Sequence, residues 1–463
     1  MKTAIAVKLN TGGLRARSSG AELVESLILN AQTALASSGN SKRDTTFTVH
    51  PLIQSLSSEK LAEMIKRAKE VTPDYEPADF GAWYQVHFDS EDQEKDDEIV
   101  QILTSLTESK EVASCQHLKA SRAPAVQPSN DPYFPQQGYL SGSGVGINAQ
   151  YAWGFPGGDG AGTNVIDVER GWQLEHEDLV AANITVLAGL NWRGRFDENY
   201  YHGTSVLGEM LMVDNAIGGV GIAPSANGDV VGIQRTYANI ESPPEAILEA
   251  VSFLNFGDVL LLEMQAGDAN GMLWPLEIMD AEYEAIKLAT SMGITVIEPA
   301  GNGNAVDTGT NLDEPVIRPG ETVPRGFLIA GSPDYRDSGA VMVGAGTSAF
   351  PRSRMPWSNY GSRVDVHAWG ENILTSSVEV DVPGSGQYTD IYSSFSGTSG
   401  AAPIVAGAAL SIQGMVNANR GSKLGPEALR SLIKTGGTPT TSSADRIGVQ
   451  PDLRALIDGG YLN

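Results

Sequence analysis

The sequence predicts an α/β architecture, a mostly parallel sheet with helices on both faces, preceded by a small α+β domain. Three observations carry that expectation. Beyond residue 138, short apolar runs such as Asn164-Val165-Ile166, Val230-Val231-Gly232-Ile233, Val259-Leu260-Leu261-Leu262 and Ile294-Thr295-Val296-Ile297 alternate with helical stretches over 245–254 and 282–292. Runs with no polar alternation are strands buried on both faces, as in parallel sheets covered by helices. Before residue 120 the pattern is different, with strand and helix signals in close succession. Between the two, Pro124, Pro128, Pro132 and Pro135 stand too close for regular structure. Residues 121–138 therefore read as a linker between a domain over 1–120 and a larger one over 139–463.

In the first domain, residues 4–9 form a strand candidate and 21–35 a helix candidate. Leu61, Met64, Ile65 and Ala68 mark an apolar helical face. Residues 82–88 are rich in aromatic and β-type side chains, Ile99, Ile102, Leu103 and Leu106 recur at helical spacing, and 111–117 close with a strand. In the second domain no internal repeat and no low-complexity tract interrupts the alternation of strand and helix. Ligands of such sheets sit at the carboxyl ends of the strands.

Composition excludes several function classes. Lys and Arg number 31 against 56 Asp and Glu, a net charge of -25 that repels phosphate backbones and anionic membranes, so nucleic acid and membrane partners are not expected. A single cysteine, Cys115, rules out an intramolecular disulfide and a thiolate metal cage, and is expected to be a small buried apolar residue. The apolar run over residues 1–9 is too short for a secretory signal, and no transmembrane run appears elsewhere. The expectation is a soluble chain, secreted or cytoplasmic. His176, within Glu175-His176-Glu177-Asp178, has no second histidine at ligand spacing and reads as part of a solvated loop; no metal site is expected.

Three clusters join a reactive side chain to small residues. Val165-Ile166-Asp167 puts an acid at the end of an apolar strand, His202-Gly203-Thr204-Ser205-Val206 opens a helix, and Ser399 lies in Gly397-Thr398-Ser399-Gly400-Ala401-Ala402-Pro403. A serine hydroxyl is a weak nucleophile, so an imidazole must take its proton and a carboxylate must fix the imidazole tautomer. A serine at a helix start also aims free backbone N–H groups at the oxyanion formed on attack. None of the six histidines follows Ser399, and Ala401 breaks a Gly-x-Ser-x-Gly elbow, so an α/β-hydrolase arrangement does not fit.

With the order Asp167, His202, Ser399, the Gly-Thr-Ser-x-Ala-x-Pro segment, the His-Gly-Thr-x-Val segment and Ala300-Gly301-Asn302, the chain resembles the subtilase family over roughly residues 130–420. The flanks Trp357-Ser358-Asn359-Tyr360-Gly361 and Val364-Asp365-Val366 agree with it. The resemblance implies a serine endopeptidase acting on protein or peptide substrates, with Asp167, His202 and Ser399 as triad and Asn302 as oxyanion donor. It also implies that the N-terminal domain is a ferredoxin-like propeptide that inhibits its own enzyme, with the maturation cut in the linker.

The sequence departs from the family in two places. Asp167 is followed by Val168-Glu169-Arg170-Gly171 where the family has one residue and then glycine, and Glu263-Met264-Gln265-Ala266-Gly267 stands where a Ser-Leu-Gly edge is usual. Glu263 and Glu298 are expected to end neighbouring strands near the primary specificity pocket, with Met264 and Gln265 beside substrate. No cofactor is expected to be required. Subtilases often bind calcium, but no ligand-rich loop requires it, only scattered acids such as those over 307–314. Two alternatives stay open: a dedicated processing protease or transpeptidase on the same fold, and a non-catalytic binding module.

Overall fold

The computed structural model describes residues 3–10, 17–37, 46–53, 57–71, 79–88, 96–118, 126, 128–142, 144–190, 198–236, 240–267, 271–304, 308–318, 321–379 and 389–462. It divides into two units, Met1–Ser121 and Arg122–Asn463.

The first unit runs β1 (Thr3–Leu9), α1 (Arg17–Ser37), β2 (Phe47–Pro51), α2 (Ser58–Val71), β3 (Trp83–Phe88), α3 (Asp96–Thr107) and β4 (Val112–Leu118). Its strands pair antiparallel in the order β2-β3-β1-β4, the ferredoxin-like arrangement. Strand alternation turns Tyr84, Val86 and Phe88 of β3 inward, where they meet Val24 and Ile28 of α1 and Ile102 and Leu106 of α3. The apolar face read on α2 is not buried, since Met64 is 48 % exposed. Cys115 is half-buried against this core rather than enclosed in it.

The second unit contains α4 (Ala149–Ala152), β5 (Asn164–Glu169), β6 (Val186–Ala188), α5 (Glu198–Leu211), β7 (Asn227–Gly232), β8 (Gln234–Thr236), β9 (Ile240–Glu241), α6 (Pro243–Phe253) and β10 (Val259–Leu262). There follow β11 (Ala266–Gly267), β12 (Leu273–Trp274), α7 (Asp280–Ser291), β13 (Thr295–Pro299), β14 (Val341–Gly346), β15 (Val366–Trp369), β16 (Ile373–Ser377) and β17 (Ile391–Phe395). The chain ends with α8 (Thr398–Arg420), α9 (Pro426–Ile433), β18 (Thr438–Pro439), β19 (Val449–Gln450) and α10 (Leu453–Asp458).

Nine strands form one sheet in the order β18-β19-β15-β14-β13-β10-β5-β7-β6, parallel except for the β18–β19 pair at its edge. Alternation divides the core between its two faces. Val259 and Leu261 of β10 face one cluster together with α8, while Leu260 and Leu262 face the other together with α6 and α7. Helix α8 is the only described helix long and apolar enough to cross a membrane, and its apolar stretch is wholly buried in this core.

Much of the expected linker is packed structure. Short 3₁₀ turns occupy Pro128–Asn130, Phe134–Gln136 and Gly138–Leu140, and Asp131 and Gln137 are buried. Gln137 Nε2 donates to Tyr139 Oη and the Val220 carbonyl, so this segment belongs to the second unit. Closely spaced prolines here fix an irregular but anchored path. Residues 119–125 and 127, the remainder of the expected cleavage region, lie outside the described residues.

Candidate active site

Strand β5 ends with two acids on one face. Asp167 and Glu169 point the same way and stand about 6.6 Å apart along the strand. Asp167 is the deeper. It is fully buried, its Oδ2 accepts the indole N–H of Trp172 at 2.7 Å, and its Oδ1 has no partner. Burial, and then the adjacent Glu169 charge, push its carboxyl well above the ordinary range. Glu169 stands at the strand end. Its Oε1 accepts the Arg170 backbone N–H at 2.7 Å, and its Oε2 is the hydrogen-bond partner of His202 Nδ1.

The expected pairing of Asp167 with His202 is therefore corrected: the acid at the histidine is Glu169. Asp167 lies one inward-facing position too deep, and its short side chain is engaged by Trp172. The signal for Glu169 lay in the spacing, because Glu169-Arg170-Gly171 supplies the acid-x-Gly that Asp167 lacks. The glycine after the histidine has a matching reason. A Cβ on Gly203 would stand 2.3 Å from the Gly171 carbonyl oxygen and 2.8 Å from Glu169 Cγ, so only glycine lets α5 approach the turn after β5.

His202 packs edge-on against Phe395, with ring centroids 5.3 Å apart. Its helix is held by β16, where Thr375 Oγ1 and Ser376 Oγ each donate at 2.8 Å, to the carbonyls of Ser205 and Thr204.

Ser399 is the second residue of α8. The helix is entered through Gly397 at φ 104°, a left-handed conformation that favours glycine; the N–H groups of Gly400 and Ala401 donate to the Gly397 carbonyl and that of Thr398 to Asn302 Oδ1, so the Ser399 N–H is the first-turn donor left to a ligand. Pro403 falls in the second turn of the helix. Lacking an N–H, it leaves the carbonyl of Ser399, four residues back, without its helical donor. Asn302 follows β13. Its Oδ1 accepts both the backbone N–H (2.9 Å) and the hydroxyl (2.7 Å) of Thr398. That fixes the amide so that Nδ2 lies on the side of Gly397, 3.5 Å from where a Cβ on that glycine would stand.

Glu169, His202, Glu263, Asn302, Trp357 and Ser399 all border one cleft of about 650 Å³. Met264 and Gln265 border it too. Gln265 also has a structural task, since its Oε1 accepts the Asn302 backbone N–H at 2.8 Å. Glu263 is 5 % exposed and neither carboxyl oxygen has a partner of ordinary hydrogen-bond geometry, the Ser399 hydroxyl being the neighbour that favours its charge. Burial, followed by the charges of Asp167 and Glu169, pushes its carboxyl well above the ordinary range.

Glu298 is not at the cleft, which corrects the expectation for it. Strands β10 and β13 are neighbours, but Glu263 follows the parity of Leu261 and Glu298 that of Val296, so they leave the sheet on opposite faces. Glu298 meets Glu277 and Arg363 instead, and burial with the Glu277 charge raises its pKa. Arg363 is fully enclosed and bonds Glu277 at 2.7 and 2.9 Å and Asp365 at 2.9 Å.

His176 is likewise not in a solvated loop. It is buried, its Nε2 is 2.8 Å from the Ile391 carbonyl oxygen, and it stacks edge-on against Tyr392. Of the acids over 307–314, Asp307 lies outside the described residues, Asp313 is paired with Arg446 and Glu314 with Asn311.

Comparisons with known proteins converge on this unit. The profile of the Subtilase family matches residues 193–448. The "Intracellular serine protease" of Paenibacillus polymyxa is 29 % identical over 297 residues, covering 62 % of this chain and 77 % of its own length. The "Extracellular protease" of Xanthomonas campestris pv. campestris is 26 % identical over 342 residues, covering 66 % of this chain and 52 % of its own length; the chain thus spans about half of that relative. Among solved structures, a protease from Pseudoalteromonas arctica PAMC 21717 superposes with a TM-score of 0.51 at 19 % identity, over 72 % of this chain and 99 % of the other, a likeness of fold.

Proposed function

Because this chain belongs to the subtilase family of serine peptidases, we propose that it is an endopeptidase whose triad is Ser399, His202 and Glu169. The observation that carries this reading is the hydrogen bond from His202 to Glu169 at the rim of the cleft that Ser399 borders. Ser399 Oγ attacks the scissile carbonyl carbon as His202 Nε2 takes its proton, and the carbonyl π pair moves onto oxygen. Glu169 holds Nδ1–H and stabilises the imidazolium. Asn302 Nδ2 and the Ser399 backbone N–H receive the oxyanion. Collapse breaks the C–N bond, with His202 returning its proton to the leaving amine. Water then repeats the sequence on the acyl-enzyme.

The reading extends to the N-terminal unit as an intramolecular inhibitor removed by cleavage around the junction of the two units in the chain. Its support is an independent α+β fold with its own core, preceding the peptidase in the chain. Labelling with a fluorophosphonate is expected to place one adduct on Ser399, with a rate that rises as the chain is cut within 119–127. No adduct after cleavage would sink the triad, and full labelling of the intact chain would sink the inhibitor role.

Among the described residues no group of three or more His, Cys, Asp or Glu is placed to hold a metal ion, and the buried acids Asp131 and Asp178 offer one unpartnered carboxylate oxygen each, short of the roughly six to eight oxygens that calcium takes, so they do not fit it.

A further inference from the structure

The triad does not use Glu263, and the family resemblance gives no reason for an acid there. It stands at the end of β10, where its backbone N–H donates to the Val168 carbonyl at 3.2 Å and so continues the β5 pairing to the level of Glu169. Its side chain enters the face that carries the triad. There it borders the cleft, almost wholly shielded from solvent, with both oxygens lacking partners of ordinary geometry. A buried carboxyl left in that state is costly unless it holds a proton or does a task.

The groups around it narrow the task. Glu169 is its neighbour on β5, Ser399 borders the same cleft from α8, the charges of Asp167, Glu169 and the α5 residue Glu209 disfavour its ionised form, and the Ser399 hydroxyl favours it. Glu209 is itself fully buried with both oxygens unpartnered. Arg170, the cation at the rim of the cleft, is held away by a two-point pair with Glu241 at 2.7 and 3.1 Å. Among the described residues, His202 is the remaining charged or chargeable group bordering the cleft. The charges acting on Glu263 are therefore carboxylates, and the Ser399 hydroxyl is the neighbour that favours its ionised form.

We propose that Glu263 is a positioning residue for the nucleophile: as a neutral acid it leaves the Ser399 hydroxyl free to donate to His202, and as a carboxylate it captures that hydroxyl and stalls attack. This rests on the triad reading above. The two acceptors compete for one proton donor, Ser399 Oγ–H. A carboxylate accepts it more strongly than a neutral acid does, and no bond is made or broken in the exchange. The sign follows. Burial and the Asp167 and Glu169 charges raise the folded Glu263 carboxyl, so the active neutral form fills the site on the acid side. Activity is then lost as pH climbs through that raised value, by about tenfold per pH unit for a single group.

The test compares wild type with Glu263→Gln across pH 4 to 9, reading kcat and KM on a peptide substrate and the rate of fluorophosphonate labelling at Ser399. The alkaline fall is expected in kcat and in labelling, with KM little changed, and Glu263→Gln is expected to hold its rate across the range where wild type declines. Glu263→Met, similar in size and uncharged, is expected to share the flattened limb, so the proposal stands or falls even if one variant folds poorly. Superimposable profiles for wild type and either folded variant would overturn the role of Glu263 and leave the triad intact. No Ser399 adduct at any pH in any of the three proteins would overturn both.

Discussion

Glu169→Gln is expected to lower kcat by about four orders of magnitude with KM nearly unchanged, while Asp167→Asn is expected to stay within about tenfold of wild type. The first figure is the loss seen when the acid of a serine-protease triad becomes its amide. The introduced amide could present an N–H to His202 Nδ1 and so favour the tautomer that carries its proton on Nε2, where the base must be free. It would also remove the negative charge facing the imidazolium. Asp167 contributes neither service: it is already disposed to hold a proton, and its contact is the Trp172 indole. An amide oxygen at 167 can keep that contact. Steady-state kinetics on the two variants, with circular dichroism to check folding, separate the acids. An Asp167→Asn loss equal to that of Glu169→Gln would return the triad to Asp167.

Arg363→Met is expected to cost about 3–5 kcal/mol of stability, read from the shift of the denaturant midpoint at constant slope. The guanidinium is enclosed with a two-point pair to Glu277, a bond to Asp365 and a further contact with Glu298 at 3.8 Å. Truncation leaves Glu277 buried and stripped of its cation, which is the costly way to break such a pair. Asp365 suffers less, since Arg430 and Lys434 each stand 3.0 Å from its other oxygen. Adding Glu277→Gln to Arg363→Met should recover part of the loss. A cost below about 1 kcal/mol for the single variant would show that the cluster is not what keeps this side of the sheet closed.

The parts of the site that were legible in the sequence are those fixed by local backbone need. Gly397, Gly203 and the strand runs announce a helix entry, a close approach and a doubly covered sheet, and each signal lies within a few residues of its cause. Glu169 was missed for a different reason. Period-two alternation puts residues 167 and 169 on the same face, so the end of an apolar run cannot say which acid meets a histidine 33 residues beyond the second of them. Only the spacing to Gly171 can, and it stands in the sequence as an irregularity after Asp167. Adjacency of β10 and β13 suggests Glu298 beside Glu263, but side-chain parity along the two strands sends them to opposite faces. His176 looked solvated among acids, and its enclosure comes from residues 391 and 392, far along the chain. The prolines before residue 138 marked irregular backbone, but the partners that anchor it, such as Val220, are equally remote.

Ser399 sits on a helix in which every residue from Thr398 to Val416 is buried. The nucleophile has no loop of its own to loosen, so its local mobility is that of the whole core. Slow amide hydrogen exchange along this helix and durable activity are then one property seen by two observers, because freeing the serine means dismantling the centre of the unit. Heat or denaturant should find no folded but disarmed species on the way down, and the working lifetime of the enzyme becomes the waiting time for that single global opening.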